Sequence, residues 1–168
     1  MSYFNQSAFK APKFLVTTHT SAQLTTSTPN SYETIVGSEI SYIPFLNSNK
    51  VVYEISFYSQ KTQNGGVLFQ VLDLEESTDG GSSWSIVNDK FKKNYGNSGP
   101  ASQKNRYYLH YRYVLPAWSG EKHLRLRTAT HNDNVNRSVE LHQLTEWNGT
   151  SATDQFCNTN LLIYSIWG

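Results

Sequence analysis

An all-β chain is what the sequence predicts, on three observations. Val51, Tyr53, Ile55 and Phe57 alternate with Glu54 and Ser56, the period-2 pattern of a strand with a buried face. The run Ser77-Thr78-Asp79-Gly80-Gly81-Ser82-Ser83-Trp84 stands between two strand-like segments and carries the turn chemistry of a β-hairpin. Asp79 can bond the backbone two residues on, the paired glycines supply positive φ, and Trp84 can fold back as an anchor. No window of a dozen residues joins helical periodicity to a cap and a stop; Leu141-His142-Gln143-Leu144 is the one short helical candidate.

Composition agrees. At 168 residues the chain holds one domain with a core. Hydrophobic residues are 38% and charged residues only 16%, while aromatics reach 14% with 11 Tyr. Aromatic side chains suit a pleated, half-buried surface, and a disordered chain would lack them. Net charge is +1 from 14 basic and 13 acidic residues, so no bulk field steers the chain to nucleic acid or to an anionic membrane. Lys122, Arg125 and Arg127, around Leu124 and Leu126, read as the solvent face of a strand. No run is long enough to span a bilayer. The sequons at Asn5, Asn136 and Asn148 follow from an Asn/Ser/Thr-rich chain.

Residues 1–12 read as an N-terminal arm, either ordered on a neighbour or frayed, before a single domain over 13–168. Lys13 to Thr18 is a short strand, and a Thr/Ser-rich connection follows to Pro29-Asn30. Tyr32 to Phe45 makes two short strands or one bent at Gly37. After the turn at Asn64-Gly65-Gly66, Val67 to Leu74 is a more buried strand, and Trp84 to Val87 completes the hairpin. Asn88 to Asn105 is expected as the longest loop. Tyr107, Leu109, Tyr111, Tyr113 and Leu115 share one face of the next strand, which Pro116 breaks. Lys122 to Thr130, then Val139 with Leu141, then Asn160 to Trp167 close a chain of eight to ten strands, the spacing of a sandwich or barrel.

Catalytic patterns are missing. There is no Gly-x-Ser-x-Gly elbow, and Glu75-Glu76 are adjacent on a strand, so they face opposite ways. Cys157 is the single cysteine, beside Phe156, and reads as a small buried hydrophobe. No two of His19, His110, His123, His131 and His142 stand two apart; only convergence of His110, His123 and His142 from separate strands would build a metal site. Asp133 alone in its turn is a weak calcium ligand. No metal, cofactor or catalytic residue is expected. The aromatics remain. Trp118 and Trp147, each beside a turn signal, are candidate glycan contacts, and Tyr107, Tyr111, Tyr113, Tyr164 and Trp167 are expected at a subunit seam or in the core.

The spacing Ser77-x-Asp79-x-Gly81-x-Ser83-Trp84 resembles the Asp-box hairpin of sialidase propellers, here in one copy and as a hairpin stabiliser. Three segments, residues 51–58, 74–84 and 161–166, resemble the jelly-roll domains of tailed-phage structural proteins, of head-decoration or fibre-tip type. The first looks like a central strand, and the second is similar to a hairpin common in virion proteins. The third resembles the apolar closing strand of trimeric jelly rolls of the tumour-necrosis-factor and C1q type. This resemblance implies an antiparallel jelly-roll β-sandwich with a short extended arm. It also implies a non-enzymatic virion protein that forms a homotrimer and binds capsid or tail proteins. A carbohydrate-binding module for host-surface attachment is the alternative. The N-terminus has no basic or apolar leader pattern, so synthesis in a host cytoplasm is expected.

Overall fold

The computed structural model describes residues 11–25, 32–61, 67–87, 93–98, 106–131, 139–147 and 150–167. The expected arm lies outside them except for Ala11 and Pro12. Among these residues there are fourteen strands and no helix. They are β1 (Lys13–Thr17), β2 (Gln23–Thr25), β3 (Glu33–Thr34), β4 (Ile40–Tyr42), β5 (Ser48–Lys61), β6 (Val67–Ser77) and β7 (Ser85–Ile86). Then come β8 (Lys93–Ser98), β9 (Arg106–Pro116), β10 (Lys122–His131), β11 (Val139–Leu141), β12 (Gln143–Trp147), β13 (Ala152–Phe156) and β14 (Thr159–Trp167).

Pairing resolves these pieces into two sheets. In the first, β5 bonds β9 along residues 50–60 and β14 along residues 48–56. Because both partners use the same stretch they must lie on opposite edges, and β1 follows outside β14. In the second, β10 bonds β6 on one edge and the short pair β3 and β4 on the other. The far edge of β6 carries β7 and β8. Counting β3 with β4 and β7 with β8 leaves eight principal strands, ordered 1-8-3-6 in one sheet and 2-7-4-5 in the other. That order is an antiparallel jelly roll, two Greek keys wound into one sandwich. β11 and β2 extend the first sheet beside the end of β5, and β12 with β13 forms a separate ribbon.

Strand alternation places the core between the sheets. Val51, Tyr53, Ile55 and Phe57 of β5 face Leu72 and Leu74 of β6 and Leu124 and Leu126 of β10, all buried. Each such side chain contributes about 1.5–3 kcal/mol by leaving water. The Tyr53 hydroxyl donates to Ser38 O at 2.5 Å, and the Ser38 hydroxyl donates to Leu126 O at 3.1 Å, tying the β3–β4 connection to β10. At Gly37 φ is +84°, and a Cβ there would meet Thr17 Cβ at 2.8 Å. This glycine divides β3 from β4, which settles the two-strand form of that segment.

Four elements differ from the sequence expectation. β2 lies inside the expected Thr/Ser-rich connection, and β8 inside the expected long loop. Both are short polar segments recruited by the open edges of β11 and β6, so backbone pairing outweighs their weak strand propensity. The helical candidate at 141–144 is extended, broken at His142 with φ 66°. β13 carried no apolar alternation and went unanticipated.

Candidate functional site

The outer face of the first sheet is the candidate site. Alternation turns Phe14 and Val16 of β1, Leu162, Tyr164 and Ile166 of β14, and Tyr108, His110, Arg112 and Val114 of β9 away from the core. Exposure on this face is 61% for Phe14, 49% for Val16, 55% for Tyr108 and 40% for Val114. Val52 is fully buried although it points outward, because its cross-strand partners Tyr164 and Val114 close over it. At the centre Glu54 lies 3.2 Å from His110 Nε2 and 3.7 Å from Arg112 Nε. Arg112 NH2 donates to the Tyr164 hydroxyl at 2.9 Å. A shallow cavity of about 260 Å³ opens here, with Phe14, Tyr108 and Leu162 around Glu54, His110 and Asn160. An exposed aromatic and aliphatic surface around one neutralised polar centre is the composition of a protein interface.

The five seam candidates divide. Tyr113 is fully buried, its ring 6.1 Å from that of Tyr53, so a single chain already encloses it. It belongs to the core and not to a seam. Tyr107 and Tyr111 face inward and pack on the core while keeping partial exposure. Burial pushes the Tyr111 hydroxyl up to about 12, so it stays protonated. Tyr164 lies on the outer face, and Trp167, 59% exposed, stands at the end of β14. Phe14, Val16, Tyr108 and Val114 were missed. Phe14 and Val16 escaped because a five-residue strand shows too little alternation to assign a face. Tyr108 and Val114 lay on the strand's other face, which reads as solvent-facing until β1 and β14 add apolar neighbours.

The two tryptophan candidates are separated. Trp118 follows Ala117, whose N–H donates to Asn49 O at 3.0 Å near the start of β5. Trp147 lies on the β12–β13 ribbon, which packs by Gln60 near the far end of β5; its side chain is outside the described residues. Trp118 is half-buried, edge-on to Tyr42 at 6.5 Å, and its Nε1 is buried with no hydrogen-bond partner among the described residues. Clefts of about 420 and 360 Å³ flank it. Pro44, Phe45 and Leu46 line the first; Glu76, Ile86 and Lys122 line the second, with Lys122 Nζ 2.8 Å from Glu76.

The hairpin motif forms at the same end. Asp79 Oδ1 accepts from Ser77 Oγ at 2.7 Å and from Ser83 N at 2.9 Å, and Asp79 Oδ2 accepts from Ser83 Oγ at 2.5 Å. The expected bond two residues on is replaced by one four residues on. Ser77 Oγ receives the Gly81 N–H at 2.9 Å instead. These donors, Ser83 foremost, hold the Asp79 carboxyl well below the usual carboxylate range. Gly80 and Gly81 have φ of 74° and 90°, and Trp84 Nε1 donates to Gly81 O at 2.9 Å.

Beside it, the outer face of the second sheet is sealed by charge. Glu75 accepts from Arg125 Nε at 2.9 Å and Arg127 NH1 at 3.0 Å. The Arg125 guanidinium lies 3.9 Å from the Trp84 ring centroid, and Arg127 NH2 donates to Tyr32 O. The basic trio is thus half-buried and neutralised, with Lys122 on the opposite face from the arginines. The trio His110, His123 and His142 does not converge. His110 is on the outer face of the first sheet and His123 lies 3.9 Å from Glu39 on the second, while His142 is buried. Among the described residues no three His, Cys, Asp or Glu side chains cluster to hold a metal ion. Burial and then Glu146 raise the Cys157 thiol, the wrong direction for a nucleophile.

No protein-family model matches the chain, and no curated protein sequence matches it. Solved structures are similar to it. A chain of the infectious bursal disease virus Gx strain structure has a TM-score of 0.44 at 12% identity, covering 95% of this chain and 37% of that one. A chain of infectious bursal virus derived T=1 particles has the same score and identity over 100% of this chain and 40% of that one. Eiger TNF from S. frugiperda has a TM-score of 0.37 at 5% identity, over 88% and 95% of the two chains. This chain thus spans about two fifths of the length of the bursal-virus chains. The strand order and pairing described above define the class: an antiparallel jelly-roll β-sandwich.

Proposed function

We propose that this chain is a non-enzymatic structural subunit of a virus particle that assembles with copies of itself through the outer face of the β1–β14–β5–β9 sheet. One observation carries the reading: that face exposes Phe14, Val16, Tyr108 and Val114 while the facing charges neutralise each other. With both Glu54 and Arg112 on it, this face carries no single-sign field to repel a neighbouring copy. Four strands about 4.8 Å apart and some nine residues long present roughly 600 Å². In a three-fold ring each copy meets its neighbours through two different patches, this face being one. A patch of that size on each side of a contact buries on the order of 1,200 Å², the lower bound of a specific interface. A homotrimer is the stoichiometry proposed, and capsid decoration or a head or tail fibre the setting, from the resemblance of residues 51–58, 74–84 and 161–166 to phage jelly rolls. Capsid or tail proteins are then the partners. Light scattering coupled to size exclusion reads the assembly directly. A stable trimer is expected, and a strict monomer at high concentration overturns it. Electron microscopy of the native particle, with this chain labelled, tests the setting.

A second reading rests on Trp118, whose ring stands between two clefts at the far end of the sandwich from Trp147. An aromatic ring with polar neighbours such as Lys122, Glu76 and Asn47 suits stacking on a sugar face. Binding on a glycan array, lost in Trp118→Ala, is the expected result; no binding across a broad panel removes this reading.

A further inference from the structure

His142 is buried and the half-buried His19 stacks on it, a pair that neither surface uses. Their rings stack with centroids 3.8 Å apart and 3° between planes. His142 closes β11 in the left-handed region at φ 66°, a conformation that costs a non-glycine residue stability and persists where its surroundings enforce it. Its N–H donates to Tyr58 O at 2.9 Å, and its carbonyl accepts from Cys157 N at 2.8 Å. Thr159 Oγ1 sits between the rings, 2.9 Å from His19 Nε2 and 3.0 Å from His142 Nδ1. His142 Nε2 lies 3.3 Å from Gln23 Oε1.

These contacts set every proton. Gln23 Nε2 donates to Thr34 O at 2.7 Å and Gln23 Oε1 accepts from Val36 N at 2.9 Å, so the amide cannot be flipped. His142 Nε2 must therefore carry hydrogen to face Gln23 Oε1. In a neutral ring Nδ1 is then bare and accepts the Thr159 hydroxyl, which in turn accepts His19 Nε2–H. The chain runs one way, from His19 through Thr159 and His142 to Gln23, with both rings neutral.

We propose that this stack is an acid-released latch that pins the β1–β2 segment, residues 13–25, to the body of the sandwich. A first proton is accommodated by rotating one hydroxyl: His142 Nδ1 becomes a donor to Thr159 Oγ1, and the Thr159 hydrogen turns to Val36 O, 3.3 Å away. A second is not, because it puts two parallel cations face to face at 3.8 Å, one of them on the buried His142 ring. Among the described residues the groups found against the stack are uncharged. β5 presents Phe57 and the Tyr58 carbonyl, β2 presents Gln23, β14 presents Thr159, and the β13–β14 connection presents Cys157. The nearby carboxylates Glu140 and Asp154 are engaged by Gln60 and Thr145. Burial, then His19, holds His142 down to about 3, and burial holds His19 below its ordinary value.

The sign follows from linkage. The closed state binds fewer protons than the open one, so the latch is at full strength above the ordinary histidine value, about 6.5. It weakens as pH falls from there toward about 3, the shift of His142 favouring opening by up to about tenfold per pH unit and that of His19 adding in the same direction. Among the described residues the segment is otherwise held by β1 on β14, by β2 on β11 across three residues, and by side-chain bonds of Lys13 to Ser41 and of Gln23 to Thr34 and Val36. Release would withdraw Phe14 and Val16 from the outer face. The latch itself does not depend on that face being an interface.

Hydrogen–deuterium exchange on the full chain, with protection corrected for intrinsic rates, tests it between about pH 7 and about pH 4. Peptides from residues 13–25 are expected to lose protection progressively below about 6.5, by up to about tenfold per pH unit, while β6 and β10 keep theirs. His142→Asn, which tolerates the left-handed backbone, and His19→Phe, which keeps a stacked ring without a charge, should each flatten that dependence. Equal pH dependence in wild type and both variants, or loss of protection in residues 13–25 only in step with β6 and β10, overturns the proposal. An NMR titration placing His142 at the ordinary histidine value overturns it as well.

Discussion

The two outer faces of the sandwich solve the same problem differently. Both sheets bury one side in a common core and must do something with the other. On the second sheet Glu75 is almost wholly buried between Arg125 and Arg127, and Trp84 and Tyr32 lie over the guanidinium groups. That face pairs its charges within one chain, with Arg127 Nε alone of the cluster's buried atoms lacking a hydrogen-bond partner among the described residues. On the first sheet Glu54, His110 and Arg112 meet at looser distances, with His110 and Arg112 half-exposed and apolar side chains around them. That face leaves surface unspent. The difference teaches where to look for a partner: a sheet that brings its own aromatic cover needs none.

Removing a side chain from the shared interior should have the largest effect. Tyr113→Ala is expected to cost about 3–5 kcal/mol of folding stability in chemical denaturation, since Tyr113 is fully enclosed against Tyr53. A loss near zero would return Tyr113 to the surface and reopen its role at a seam. Breaking the sealed face comes next. Glu75→Gln leaves two half-buried arginines without their carboxylate, for about 2–3 kcal/mol after allowance for their partial exposure to water. Its association state should not change, and a change would show that the second sheet takes part in assembly.

Phe14→Asp combined with Val114→Asp sharpens the comparison from the other side. Stability should move by less than about 1 kcal/mol, while light scattering should report monomer. Retention of the oligomer would remove the first sheet from consideration. The smallest effect belongs to the hairpin. Asp79→Asn should lower the melting temperature slightly at neutral pH. Because the folded-state carboxyl is held below its ordinary value, about 3.9, the gap between wild type and variant is full above that value and closes as pH falls from it toward the lower folded-state value. A gap unchanged in acid would mean that the serine bonds to Asp79 contribute no stability.

The alternation of residues 51–57, the apolar run at 161–163 and the turn chemistry of 77–84 determined an all-β chain, its longest strands and its hairpin. These are local properties, set by a period of two along the chain and by what glycine and Asp do in a turn. Which side of Tyr113, Tyr164 or Tyr108 meets a partner was decided only in three dimensions, because alternation distinguishes two faces without saying which is covered. The same holds for His19 and His142, 123 positions apart in numbering, and for Gln23 and Thr159 beside them. No spacing rule joins them. Only the return of β14 between β1 and β5 brings that stack together, since side-chain neighbours across a sheet are fixed by strand order and register and not by distance along the chain.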